Sequence, residues 1–219
     1  MARDPRSLEQ RRDDILDAAA ELIVKHGYAG TSLDAICESA GCSKSMIYTY
    51  FGDKQGLLSA LSEEIVHQLS RALRASDRAH LTVAEALYTQ AKRILELVLS
   101  DKYVAVLRVI IAEFWSKPQL GHSYHKLGPR AAQQELSEYL AEHAKAGELS
   151  MSDPLRAAQD FLALVLWNKL HPRLVGVQGV LSAAEMDRDA RHAVECFLRI
   201  YGVSATPISK FPAADAATG

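Results

Sequence analysis

Apolar residues recur along this chain at a helical period almost from end to end. Ile15, Ala18, Ala19, Leu22 and Ile23 fall at i, i+3, i+4, i+7 and i+8, one stripe on a helix that Gly27 ends and that Ser7 and Gln10 open as a capping box. Leu33, Ile36, Cys37 and Ala40 repeat the spacing over barely two turns, with Thr31 or Ser32 as N-cap and Gly41 as stop. A third helix starts at Ser43 and is cut off near Thr49, because Tyr50, Phe51 and Gly52 lead into Asp53, the N-cap of a long fourth helix marked by Leu57, Leu58, Leu61, Ile65 and Leu69. Helices of two turns do not hold in water alone, so the second and third must be held by the first and fourth.

Beyond residue 76 the period stays helical. Leu87, Ala91, Ile94, Leu95 and Val98 form one face, and Leu107, Ile110, Ile111 and Phe114 another, which Pro118 closes. Gly121, Gly128 and Pro129 predict an irregular segment between Gln119 and Arg130, followed by a helix to about Gly147. Asp153 with Pro154 opens the next helix, and Ser182 with Glu185 makes a capping box before Ala190, Val194, Phe197, Leu198 and Tyr201. Residues 204–219, rich in Ala and Pro, are expected to be a disordered tail. Alternation of the strand kind is absent beyond a few residues, so the fold class is all-α.

Composition narrows the classes. With 219 residues and 48% hydrophobic content the chain can bury a core. The longest apolar run, Phe161 to Trp167, is far too short to cross a bilayer, and the N-terminus carries mixed charge with no apolar signal core, so no membrane partner and a cytoplasmic location are expected. The three cysteines, Cys37, Cys42 and Cys196, are odd in number; Cys37 and Cys42 lack a second pair at zinc-ligand spacing and read as small hydrophobes, and no metal is expected. The net charge is -2, and residues 1–60 hold seven basic against nine acidic side chains. No global basic field announces nucleic acid, so any DNA contact must be local.

The short pair joined by "SAGCS" fits a helix-turn-helix whose second helix enters the major groove, and fits equally an ordinary helical corner with a solvated face. On the first reading Ile47 and Phe51 face inward while Lys44, Ser45, Tyr48 and Thr49 project outward, toward base edges and phosphates. Lys54, in the first turn of the fourth helix, and Thr31 and Ser32, at the start of the second, would meet phosphates.

Residues 15–61, "ILDAAAELIVKHGYAGTSLDAICESAGCSKSMIYTYFGDKQGLLSAL", closely resemble the N-terminal DNA-binding domain of the TetR family of transcriptional regulators. The likeness covers about a fifth of the chain and is specific as a set: the "AA" and "G" of the first helix, the Thr-Ser start of the second, "AGCS", "IYTYF" and the Lys of "GDKQGLL". It implies a homodimeric, ligand-responsive regulator, a repressor, that binds a double-stranded operator with an inverted repeat and answers to a small-molecule effector. By motif position it implies DNA contacts from Lys44, Ser45, Met46, Tyr48, Thr49, Tyr50 and Lys54. A looser likeness, from Leu107 to Leu164, is to the C-terminal domain of the AefR-like subgroup and speaks for architecture rather than ligand. The expected organisation is a three-helix DNA-binding domain over 1–54 and a helical effector-binding and dimerisation bundle over 55–203.

In that bundle the helix after Asp153 is apolar all round and therefore buried on two sides. Either it is a central core helix, or Leu155, Ala158, Leu162, Val165 and Leu166, with Val194, Phe197 and Leu198, form a four-helix seam across a twofold axis. Tyr88, Tyr103, Phe114, Trp115, Tyr124 and Trp167 supply aromatic surface for an effector pocket between helices, although aromatics at helical spacing also serve as plain core. His122 and His125 read as surface histidines, and Glu113 as the partner of an arginine. No nucleophile, phosphate-loop, dinucleotide or metalloprotease motif occurs, so no catalytic residue and no cofactor is expected. An enzyme or simple small-molecule binder is the alternative, marked by turnover or ligand binding without DNA affinity. An architectural DNA-binding protein would not need the large helical region behind the module.

Overall fold

The computed structural model describes residues 8–74, 80–113 and 115–203. Ser7, Phe114 and the expected tail lie outside them. In chain order the helices are α1 (Leu8–Gly30), α2 (Leu33–Ala40), α3 (Lys44–Phe51), α4 (Lys54–Arg74), α5 (Val83–Val98), α6 (Asp101–Ala112), α7 (Pro118–Leu127), α8 (Pro129–Lys145), α9 (Pro154–Leu174) and α10 (Ala183–Tyr201). The described residues contain no strand beyond a single bridge between Leu149 and Gly202, as the period of the sequence demands. None of these helices is long and apolar enough to cross a membrane. Two compact units form among the described residues, one from 8–66 with 101–124, the other from 67–100 with 125–203.

In the first unit α1 packs on α2 and α6, and α2 on α3. The stripe on α1 is buried at Ile15, Leu16, Ala19 and Ile23, and α2, α3 and α4 answer it with Ile36, Ile47, Leu57, Leu58 and Leu61. Gly27 has φ 70, a left-handed conformation that a side chain disfavours, and it kinks α1 before a last short stretch to Gly30. On α6, Lys102 reaches Asp17 of α1 at 2.6 Å, and the buried Tyr103 shares a 2.8 Å hydroxyl contact with Tyr124.

In the second unit α9 packs on α8, and α10 on α5 and α9. Phe161 and Phe197 are fully buried and meet edge to face, 5.3 Å between centroids at 78°. Capping boxes open α5 (Thr82 with Glu85) and α10 (Ser182 with Glu185), and Asp153 caps α9 ahead of Pro154. Arg173 is buried near the end of α9, and its guanidinium donates to the Leu99 carbonyl at 3.0 Å.

The segment 119–130 departs from expectation. It is helical, as α7 and the start of α8, because Pro118 and Pro129 stand at the first positions of those helices, where a missing N–H costs nothing. Gly121 lies inside α7. The third helix also runs on past Thr49 to Phe51.

Candidate nucleic-acid interface

Two eight-residue helices make the candidate surface, and their ends are fixed by local chemistry. The Ser32 hydroxyl accepts from the Ala35 N–H at 3.1 Å, and Gly41, at φ 62, closes α2 in the left-handed conformation. Ser43 repeats the cap for α3, accepting from the Met46 N–H at 3.3 Å, and Gly52, at φ 79, ends it. The Asp53 carboxylate then accepts from the N–H groups of Gln55 (2.8 Å) and Gly56 (2.7 Å) to start α4. A Cβ on Gly56 would overlap the Phe51 carbonyl oxygen, so only glycine lets the first turn of α4 close against the end of α3.

This frame divides α3 into two faces. Ile47 (0% exposed) and Phe51 (8%) point inward, while Lys44, Ser45, Tyr48 and Thr49 are exposed and Met46 and Tyr50 half-buried. Lys44 pairs with Asp34 of α2 at 2.8 Å, and that hydrogen bond raises its pKa, so the ammonium stays charged. The Thr49 hydroxyl donates to the Ser45 carbonyl at 2.8 Å, which orients its methyl and oxygen. The Cys42 thiol is pushed up to about 11 by burial and by its hydrogen bond with Cys37, so it stays protonated at neutral pH. Among the described residues no group of three or more His, Cys, Asp or Glu is placed to hold a metal ion.

Two residues expected at phosphates have other commitments. Thr31 is buried and donates its hydroxyl to the Gly27 carbonyl at 2.8 Å, closing the kinked end of α1, so it presents no hydroxyl outward; Ser32, beside it, is exposed. Lys54 donates its ammonium to the Tyr28 carbonyl at 2.6 Å and sits 4.4 Å from the centroid of the Tyr28 ring, and burial lowers its pKa. Tyr28 follows Gly27 inside the quoted motif, yet the helical period gives it no role because it falls past the stop. The structure makes it the post on which Lys54 leans.

The described aromatic residues expected to line a pocket have different surroundings. Trp115 is 90% and Trp167 68% exposed, the latter stacked on His171. Tyr103 and Tyr124 pair within the first unit, and burial raises the pKa of both. Tyr88, in the second, gives its hydroxyl to Asp187 and is held up to about 12 by burial and that bond, with the Arg191 guanidinium over its ring. The expected seam is likewise divided. Ala158, Val165, Val194, Phe197 and Leu198 are buried within one chain and present nothing outward; Leu162 and Leu166 are half-buried, and Leu155 is exposed, as are Leu164 and Trp167, which the expected seam did not include. Glu113 pairs with Lys117 rather than with an arginine, at 3.0 Å. His122 and His125 lie exposed on α7.

Known proteins share both the module and the fold. Residues 15–61 match the family model described as bacterial regulatory proteins of the tetR family, and residues 85–203 the model of the AefR-like transcriptional repressor C-terminal domain. The HTH-type transcriptional regulator BetI of Paraburkholderia xenovorans is 30% identical over 193 residues, covering 72% of this chain and 94% of that protein. A solved TetR-family regulator from Mesorhizobium loti superposes with a TM-score of 0.72 at 25% identity, covering 90% of this chain and all of that one. The flavonoid-responsive regulator FrrA superposes with a TM-score of 0.66 at 29% identity and covers the same share of both chains. With a capped pair of short helices, an outward polar face on the second, and family models that between them match most of the sequence, the chain belongs to the TetR family of transcriptional regulators and carries an AefR-like C-terminal domain.

Proposed function

We propose that this regulator is a ligand-responsive repressor that binds an inverted-repeat operator as a homodimer in the cytoplasm, each chain reading one half-site with α3. The observation that carries this is the division of α3: Ile47 and Phe51 are buried, and Lys44, Ser45, Tyr48 and Thr49 form an outward polar face with no part in the core. Residues 1–54 are the reading domain. Residues 55–203 bind the effector and the second copy, with Leu155, Leu164 and Trp167 as the exposed apolar surface available for a twofold seam. The flavonoid-responsive relative supports a small-molecule effector, and release follows when that ligand favours a dimer whose two α3 helices no longer match the half-site spacing.

Selection of bound sequences from random DNA by the purified full-length protein tests the reading. An inverted repeat with half-site centres roughly one helical turn or a little more apart is expected. Selection of unrelated sequences, or a wild-type protein that sediments as a monomer while binding its selected site, overturns it. Leu164→Glu is expected to yield monomer and a steep loss of operator affinity, because one half-site alone binds weakly.

A further inference from the structure

Lys54 begins α4, a helix with no acidic residue in its first turn, and α1 has no basic residue in its last. A cation suits the C-terminus of a helix and an anion the N-terminus, so both ends lack the charge they favour. The fold answers by crossing the two. Asp53, one residue ahead of α4, accepts from the Gln55 and Gly56 N–H groups, and the Lys54 side chain leaves its own helix to donate to the Tyr28 carbonyl near the end of α1, at 2.6 Å.

Tyr28 holds this ammonium in two ways. Besides the carbonyl it offers its ring, whose centroid lies 4.4 Å from the Lys54 nitrogen. Its hydroxyl stands 3.5 Å from the Lys54 carbonyl, a distance at which it adds little. Lys117 is farther from the ring, at 5.8 Å, and is paired with Glu113 at 3.0 Å, so Lys54 is the closer cation. The Tyr28 carbonyl also accepts from the Thr31 N–H at 3.3 Å, just ahead of the Ser32 cap of α2. One backbone oxygen thus ties the lead into α2 to the first turn of α4, and that turn closes on the end of α3 at Gly56.

We propose that Tyr28 is a positioning residue for operator reading, its carbonyl and ring holding Lys54 so that the first turn of α4 fixes how α3 meets the groove. Lys54 is engaged on α1 and serves direction rather than phosphate neutralisation. This rests on the operator reading above. The two roles of Lys54 differ on DNA of arbitrary sequence. Loss of a phosphate contact weakens specific and non-specific binding together. Loss of a positioning contact falls on the operator, where base edges must be met.

The test measures, by fluorescence anisotropy, the affinity of the full-length protein for its selected operator and for an unrelated duplex of equal length, with circular dichroism to confirm that each variant is folded. Tyr28→Leu, which removes the ring, is expected to weaken operator binding about fivefold, and Lys54→Met, which removes both contacts, about tenfold. Binding to the unrelated duplex should not change in either. Tyr28→Leu should add nothing to Lys54→Met, because both act on one contact, and Tyr28→Phe, which keeps ring and carbonyl, should bind as wild type. Equal losses on the two duplexes, losses that add in the double variant, or operator binding by Tyr28→Leu as tight as wild type overturn the proposal. Should Tyr28→Leu not fold, Lys54→Met decides, since a loss equal on both duplexes still overturns it. Amide exchange without DNA reads the same contact: the first turn of α4 should exchange faster in Lys54→Met, with α9 unaffected, and unchanged exchange there overturns the role of Lys54. If no operator is selected, the repressor reading fails, while amide exchange still decides whether Lys54 fixes that turn.

Discussion

Helix α3 has eight residues and buries two of them, Ile47 and Phe51, whereas α9 has 21 and buries Ala157, Ala158, Phe161, Val165 and Arg173. Both keep a face that no other described residue covers. On α3 that face is polar and cationic at its start, with Lys44, Ser45, Tyr48 and Thr49; on α9 it is apolar, with Leu155, Leu164 and Trp167. An uncovered polar face on a helix too short to stand alone fits a charged, hydrogen-bonding partner, and an uncovered apolar face fits another apolar surface. The two helices also hold themselves differently. Helix α9 depends on its own buried side chains, while α3 depends on caps at Ser43 and Gly52 and on neighbours that clamp Ile47.

The largest effect expected tests the buried face of α9. Phe161→Ala removes a fully buried ring and its partner contact with Phe197, and should cost about 3 to 5 kcal/mol in urea unfolding. Asn168→Ala, seven residues on, exposed and outside the proposed seam, should cost under about 0.5 kcal/mol in the same assay. Equal losses at the two positions would mean that the inward and outward faces of α9 are wrongly divided.

A smaller effect concerns the polar anchor of α10 on α5. The hydrogen bond from Arg191 holds the Asp187 carboxyl below its ordinary value of 3.8, and the Tyr88 hydroxyl adds to this against the opposing effect of burial. A depressed carboxyl contributes stability that is complete above the unfolded value and is lost as pH falls through the folded one. Asp187→Asn should therefore lower stability by about 1 kcal/mol near neutral pH, after discounting for solvent, and should shrink the difference from wild type below pH 4. A difference that grows on acidification would remove Asp187 from this role.

For α3 the cap is the sensitive point. Ser43→Ala removes the side-chain acceptor of the Met46 N–H and leaves it the Ser43 carbonyl at 3.0 Å, and should cost about 0.5 to 2 kcal/mol. Faster amide exchange should be confined to α3, and operator affinity should fall by a similar factor. The smallest structural effect is Tyr48→Phe, which removes a hydroxyl from a residue that is 53% exposed. Thermal unfolding should not move; operator binding should weaken by about 1 kcal/mol with the preferred sequence unchanged. A shifted base preference would turn Tyr48 from a phosphate contact into a reader of bases.

The caps of these elements were legible in the sequence because each is written in two or three adjacent residues. Ser43, Gly41, Asp53, the Asp153–Pro154 start and the Ser182–Glu185 box all act where the pattern puts them. Helix α7 was not legible, since Pro118 and Gly121 read as breakers until the position of the proline at a helix start is known. Direction was the harder loss. Helix α9 is apolar around its whole circumference, so no period says which side faces in, and the buried side proves to carry the small Ala157 and Ala158 with Phe161, while Trp167 faces out. Aromatic content misleads in the same way: Trp115 and Tyr88 look alike as pocket candidates, yet one is on the surface and the other is tied to Asp187 by contacts 99 residues apart in sequence. The contacts of Thr31 and Lys54 were not legible because their partners, the Gly27 and Tyr28 carbonyls, are backbone atoms that no residue pattern displays.

The bare Cα of Gly56 has a mechanical meaning. Where side chains meet, a joint has slack, since rotamers give before backbones do; where the Phe51 carbonyl meets Gly56, one main chain rests on another and nothing soft lies between. The end of α3 and the opening turn of α4 therefore cannot press closer without moving each other's backbone. A tilt of that turn toward α3 is passed to the reading helix through main chain rather than absorbed by side-chain rotamers.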